Sequence, residues 1–502
     1  MMLPKIFISD WLNSFLTPLF LLGLGSLAAL VVLAVIWGLI AAVSRPRAAA
    51  AWNAVYEGPL QWLVWLAVTY SVIGVVGLFA VRDRDAILGS IPRLSQTGMR
   101  TVTRTIPPPS GNEELHSVDL ALPFQGDEFR SLTITSTGLL AVSIPTDGSI
   151  EGPLAEWTVD AGEEVKELIT PARPNPVADK QIEKFIATNA GSRPVDITLV
   201  LETEPIHPEV RAIFYTMGGV LVVFAVYLIV NWLMPKTSAV ALAAAKSEMS
   251  QPLYWLLLLV SAFLLLVFIF VPYFTFGDDI KVLKDTGLVL ILTVCVFHTI
   301  LAANNQISDE IESRTALTLL SKPIGRPQFV WGKFLGIAWT ELAMTAVLGG
   351  VFLAIVCYKV IYDSRESAEQ IPTWQVCYQQ LALTAPGLWL IFLECLVFIG
   401  ISLAISTRLP LMANFVVSFA IFALGHLTPQ LVHSNAFEPV VFIGTLIATI
   451  LPVLDYFNVY AGIAGGKQIT PEYLGVATLY CALYCSIMML LALALFEDRD
   501  LA

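Results

Sequence analysis

Charge is scarce in this chain. Only 14% of its 502 residues are Asp, Glu, Lys or Arg, and 40 acidic residues outnumber 28 basic ones. That deficit excludes nucleic acid as a partner, because no surplus of Lys and Arg exists to neutralise phosphates. Histidine is rarer still: His116, His207, His298, His426 and His433 do not cluster in sequence. The six cysteines, Cys295, Cys357, Cys377, Cys395, Cys481 and Cys485, show neither CxxC nor Cys/His spacing, so neither a disulfide framework nor a metal site is read from them. Cys481 and Cys485 stand one helical turn apart and are read as small buried hydrophobes rather than a soft-metal pair. HExxH and Ser/His constellations are also missing, which removes the basis for an intramembrane hydrolase. The peptide Gly462-Ile463-Ala464-Gly465-Gly466-Lys467 is not a phosphate loop: its first Gly is one residue out of place, and Gln468 stands where Ser or Thr would hold Mg²⁺.

What the chain has in abundance is apolar surface. Hydrophobic residues make up 56% of it, which is incompatible with an ordinary water-soluble exterior. A hydrocarbon core about 30 Å thick takes about 20 apolar residues in a helix. Windows of that kind fall near 17–43, 60–81, 211–233, 253–275, 287–304, 335–358, 382–406, 410–427 and 475–496, an expectation of nine spans. The first is too long for a signal peptide h-region of about 7–15 residues and reads as a transmembrane helix. Val440 to Leu454 is shorter, ends near Pro452, and reads as a re-entrant or interfacial helix.

Between the second and third spans, residues 83–208 change character. After a Pro-rich opening at Pro107, Pro108 and Pro109 the pattern alternates: Val118, Leu120, Leu122 and Phe124; Leu132 and Ile134; Leu140, Val142 and Ile144; Val195, Ile197, Leu199 and Leu201. Such strands, with Asp147-Gly148 marking one turn, predict a small antiparallel β domain. The expected fold is therefore an all-α polytopic membrane protein with one inserted β domain, divided into 1–82, 83–208, 209–236 and 237–502. Orientation follows from basic residues in short loops. Arg45, Arg47, Lys236, Lys246, Arg314, Lys322, Arg326, Lys333, Arg408 and Arg499 gather on one side, which places the N-terminus and the β domain outside and the C-terminus in the cytoplasm.

The most informative stretch runs from Asn304 to Gly336. Ser308 or a neighbour can cap a helix, Asp309, Glu310 and Glu312 suit the positive end of its dipole, and Lys322 precedes the stop at Pro323. This predicts a short helix over about 307–322. Ile307, Ile311, Ala316, Leu319 and Leu320 give it an incomplete apolar face, while Glu310, Arg314 and Thr318 form a polar stripe. On spacing alone, a solvated connector held by a Glu310–Arg314 pair competes with a docking surface.

The pattern Glu310-Ile-Glu312-x-Arg314-Thr315-x-x-x-Leu319-Leu320-x-Lys322-Pro323-x-x-Arg326, followed by Gly332-Lys333, resembles the cytoplasmic coupling segment of ABC-2-type permeases. It is nearest to the branch of nitrous-oxide-reductase and multicopper-enzyme maturation permeases. Leu451-Pro452-x-x-Asp455-x-Phe457-Asn458 and the tail Phe496-Glu497-Asp498-Arg499-Asp500-Leu501 resemble the end of the same family. The resemblance covers about 237–502 as a six-span unit with an amphipathic opening segment at about 237–251. It implies that this chain is not an enzyme but the permease subunit of an exporter in the cytoplasmic (inner) membrane. An ABC ATPase subunit would bind the ATP and Mg, this chain would hold no cofactor, and the permease would pair with itself or a related chain. It further implies that Glu310, Glu312, Arg314, Thr315, Lys322, Pro323 and Arg326 meet the ATPase. The three additional N-terminal spans, the β domain and the acidic tail depart from the family's pattern and leave the substrate open.

Ionisable residues inside spans are functional suspects, since each costs about 2.5–3.5 kcal/mol near the bilayer centre. Glu394 is the main one here, with His298 and Glu341 beside it as inter-helical bonding groups or a proton relay. Two further readings compete with the permease. An ion-coupled secondary transporter would show repeated broken helices at matching positions, which the sequence lacks. A membrane scaffold or receptor presenting the β domain is opposed by the coupling-segment resemblance alone.

Overall fold

The computed structural model describes residues 9–56, 58–109, 116–145, 153–168, 175, 177–178, 180–189, 191–271, 278–312, 324–368, 370–432 and 438–497. Asp147-Gly148 and residues 313–323, with Arg314, Thr315, Lys322 and Pro323, lie outside them. The chain divides into a membrane unit, Met1–Val81 with Ile213–Ala502, and a second unit, Arg82–Ala212.

The membrane unit opens with α1 (Asp10–Val43), α2 (Arg45–Tyr56) and α3 (Leu60–Ala80). Helices α1 and α3 meet through small residues: a Cβ on Gly23 would lie 2.4 Å from the Tyr70 carbonyl oxygen and 2.5 Å from the Gly74 nitrogen. In lipid, where burial against another apolar helix gains little, this close backbone approach is a main source of helix association. Helix α4 (Arg84–Arg93) belongs to the second unit and α5 (Arg211–Leu233) leads out of it. Helix α5 buries little of its apolar window, and Tyr215 and Trp232 are exposed toward its two ends.

Two shorter helices follow, α6 (Pro235–Met249) and α7 (Pro252–Phe268), bent by 64° at Ser250 and Gln251. Pro252 lacks the amide hydrogen that a continuous helix needs, which makes the corner a natural break. The large helices of the bundle are α8 (Asp279–Glu312), α9 (Arg326–Glu366) and α10 (Trp374–Ser406). They are followed by α11 (Leu411–Val432), α12 (Glu438–Ile450), the short α13 (Tyr460–Ala464) and α14 (Pro471–Glu497). Their shared core includes Leu288, Ile291, Phe329, Phe352, Ile391, Phe398, Phe457 and Phe496.

Among the described residues seven helices are long and apolar enough to cross a bilayer, and the α6–α7 pair makes an eighth if it is one broken span. The window expected at 253–275 is thus the second arm of a bent pair. The eighth expected span, 410–427, falls on α11 (Leu411–Val432), whose apolar part over Leu411–Leu427 is shorter than those seven. Helix α12 covers the segment read as re-entrant or interfacial; its 13 residues extend only about 20 Å. The expected separate helix at 307–322 is, in its described part, a continuation of the preceding span. Helix α8 runs unbroken through Glu312, so Ser308 lies within it instead of capping a new helix.

The second unit contains two antiparallel four-stranded sheets. The strands are β1 (Gly98–Ile106), β2 (His116–Gln125), β3 (Phe129–Ser136), β4 (Leu140–Ile144), β5 (Ala155–Val159), β6 (Glu164–Leu168), β7 (Gln181–Asn189) and β8 (Val195–Thr203). One sheet has the order β1-β8-β3-β6 and the other β2-β7-β4-β5. The alternating residues picked out in the sequence supply the common core: Leu120, Leu122, Phe124, Leu132, Ile134, Leu140, Val142, Ile144, Val195, Ile197, Leu199 and Leu201. At its edge Arg93 clasps Glu128 through Nε (2.7 Å to Oε1) and a terminal nitrogen (2.5 Å to Oε2), and this bidentate bond raises the Arg93 pKa.

The packing of α6 on α9 gives a direct test. A Cβ on Gly336 would sit 2.6 Å from Ala244 Cβ and 2.7 Å from the Ala241 carbonyl oxygen, whereas one on Gly218 of α5 would meet nothing within 4 Å. Gly336→Leu should therefore lower stability by about 1–3 kcal/mol or more through overpacking. Gly218→Leu should leave thermal unfolding of the detergent-solubilised protein nearly unchanged.

Candidate functional site

The site is built where α6, α8 and α9 converge at one end of the bundle. Helix α6 can lie almost against α9 because Gly332 and Gly336 leave room for Thr237, Val240, Ala241 and Ala244. Next to Gly332, Lys333 points its long side chain into the crevice so formed and is 3% exposed. Its ammonium donates to Glu310 Oε1 at 2.6 Å and to Gln306 Oε1 at 2.8 Å, both on α8. The Gln306 amide in turn donates to Glu248 Oε1 on α6. Gln251 completes the chain, donating to Glu248 Oε1 at 3.3 Å and accepting from Asn305 Nδ2 at 3.1 Å. A buried ammonium is tolerable only when neighbouring oxygens replace its hydration.

This arrangement gives Glu310 a partner other than the one the helical spacing suggested. It reaches across to Lys333, 23 positions along the chain, while Arg314 lies outside the described residues. The backbone of Glu312 closes α8. Arg326 begins α9 and donates through a terminal nitrogen to the carbonyl oxygen of Glu497, at the end of α14, at 3.0 Å. The ends of α8, α9 and α14 are thus tied together on both flanks of residues 313–323.

Deeper in the bundle the three intramembrane suspects separate into two pairs. His298 of α8 and Glu341 of α9 are both buried, with Nδ1 and Oε1 2.5 Å apart, and the edge of Tyr254 packs on the imidazole. Glu341 lies 15 residues into the 41-residue α9. Glu394 of α10 faces His426 of α11, whose Nε2 is 3.4 Å from Oε1, and Tyr460 of α13 borders the same carboxyl. These are inter-helical contacts between buried polar groups, costly unless mutually satisfied.

Lys333, Gln306 and Glu248 were not singled out in the sequence as a network. A signal was available: Gln306 extends the Glu310–Arg314–Thr318 stripe back by one turn. The partners on α6 carried no comparable mark.

Residues 280–501 match the family described as ABC-2 family transporter protein. Residues 280–501 carry an ABC-2-type transporter domain. The match begins with α8, so the α6–α7 pair, which the resemblance had taken in from about 237, lies before it. No curated protein matches the chain. The match supports a permease component of an ABC transporter for this multi-pass membrane protein; ABC-2 permeases normally work with an ABC ATPase. Two of its helices, α8 and α9, carry the Glu310–Lys333 bond, and the segment that resembles a coupling helix lies between them.

Removing Glu310 leaves the Lys333 ammonium with Gln306 as its remaining hydrogen-bond acceptor among the described residues. Breaking one side of a buried ion pair costs about 3–5 kcal/mol, and Glu310→Ala should fall at the lower end because its side chain is 24% exposed. Lys333→Met, which removes the charge and keeps the volume, should be milder. A thermal double-mutant cycle with Glu310→Gln should show coupling above the roughly 0.5 kcal/mol of an exposed pair.

Proposed function

We propose that the protein is the permease subunit of an exporter in the cytoplasmic membrane, driven by ATP hydrolysed on a separate ATPase subunit. The observation that carries this reading is the ABC-2 match, which spans the whole segment from Glu310 to Arg326. Glu310, Glu312, Arg314, Thr315, Lys322, Pro323 and Arg326 form the ATPase-facing segment, and ATP and Mg belong to the partner. Two permease chains, identical or related, bind two ATPase subunits. The Glu310–Lys333 bond supports such a role mechanically: force applied between α8 and α9 passes into two spans already tied together. The resemblance to nitrous-oxide-reductase and multicopper-enzyme maturation permeases supports the outward direction. Ten basic residues in short loops on one side support a cytoplasmic C-terminus and an outside N-terminus and β unit.

Because Glu310 also holds the fold, the docking test uses Glu312 and Arg314. Glu312→Ala with Arg314→Ala should leave abundance and thermal stability unchanged while co-purification with the ATPase and ATP-dependent activity fall at least tenfold. Undiminished ATPase binding in a normally abundant variant would make the segment a connector and return the scaffold reading.

Topology is tested separately. In intact cells an impermeant thiol reagent should label a cysteine placed at Gly148 and spare one placed at Gly325. The reverse pattern would invert the assignment of sides.

A further inference from the structure

Three helices bring Cys295 (α8), Glu341 (α9) and Cys395 (α10) to one point. All three side chains are fully buried, and one ligand atom from each lies within 4.8 Å of the other two. Sequence spacing gives no hint of this, since the residues are 46 and 54 positions apart. The surroundings favour a bound cation over a chance meeting of small side chains. One oxygen of Glu341, Oε1, is held by His298; the other, Oε2, is buried without a hydrogen-bond partner among the described residues. An imidazole that fixes one carboxylate oxygen and leaves the second free is the arrangement by which outer partners orient a metal ligand.

We propose that Cys295, Cys395 and Glu341 form a binding site for a thiophilic divalent cation of the Zn²⁺ class in the middle of the bundle, with His298 as the positioning residue. Two sulfurs select a soft or borderline metal, and a carboxylate completes a three-ligand set with an open fourth position. Ligands at about 2.0–2.3 Å from a tetrahedral centre stand roughly 3.3–3.8 Å apart, so the present group needs only to draw together by about 1 Å. Charge selects a divalent ion. Two thiols beside a Glu–His pair that shares one proton carry no net charge whichever partner holds it, and a cation of charge two that displaces two thiol protons leaves the site neutral in a region where net charge is costly. The reaction is balanced: one M²⁺ enters, two metal–sulfur bonds form, and two protons leave.

The test titrates Cd²⁺ into the full-length protein in detergent or nanodiscs. The background carries Cys357, Cys377, Cys481 and Cys485 as Ala, so that the two proposed thiols are the only ones that remain. One equivalent should bind with a thiolate-to-Cd²⁺ charge-transfer band. Cys295→Ser and Cys395→Ser should each abolish the band, Glu341→Gln should weaken binding at least tenfold, and His298→Gln should weaken it about 10–100-fold. Release of two protons should raise the affinity about a hundredfold per pH unit while both thiols are protonated. If the four-Ala background is not monodisperse, the same titration compares wild type with Cys295→Ser/Cys395→Ser. A monodisperse protein that shows no band, or a band that survives loss of both cysteines, would overturn the site. Unchanged affinity in Glu341→Gln would overturn the three-ligand assignment.

Discussion

The buried ammonium of Lys333 is the charge on which one end of the membrane bundle depends. It cannot sit in that crevice without oxygens around it, and those oxygens come from Gln306 and Glu310 on a neighbouring helix. Gln306 is held in turn by Glu248 on α6. The network therefore demands that three helices approach closely, and Gly332 and Gly336 are what permit it. Steric smallness and electrostatic need are adjacent in the sequence because both belong to one packing problem.

That dependence also explains how much of the site was legible beforehand. Gly332-Lys333 stood out as a pair of positions within a family-like pattern, yet nothing local said why. The answer lies in residues 23 and 27 positions away, which helical periodicity cannot reach. Local rules offered Glu310 the partner Arg314, the nearest opposite charge on the same face, and could not point to Lys333. The β unit was easier to read, because alternation is a property of each strand by itself. Leu199 and Leu201 face the core whichever strands flank β8, although the order β1-β8-β3-β6 was not legible.

Hydropathy found the apolar segments but not all their ends or bends. Nothing in composition separates an apolar window from its continuation when the residues beyond still form helix, as Asn304 to Glu312 do at the end of α8. Nor does hydropathy register a corner such as the one before Pro252, where the two arms count as one possible span only when taken together. Polar residues within spans were visible as costs, and the structure supplies the bonding that offsets one of them: His298 and Glu341 answer each other across α8 and α9.

Helix α5 behaves as a depth gauge. Tyr215 and Trp232 are 17 residues apart, about 26 Å along the axis, and both rings are exposed on a helix with little protein around it. Amphipathic rings settle at the two headgroup boundaries of a hydrocarbon layer about 30 Å thick. A separation this close to the layer's own thickness leaves the helix little slack to tilt, since leaning would draw one ring into the acyl chains. The lipid thereby fixes the height of a helix that its protein neighbours hold only loosely.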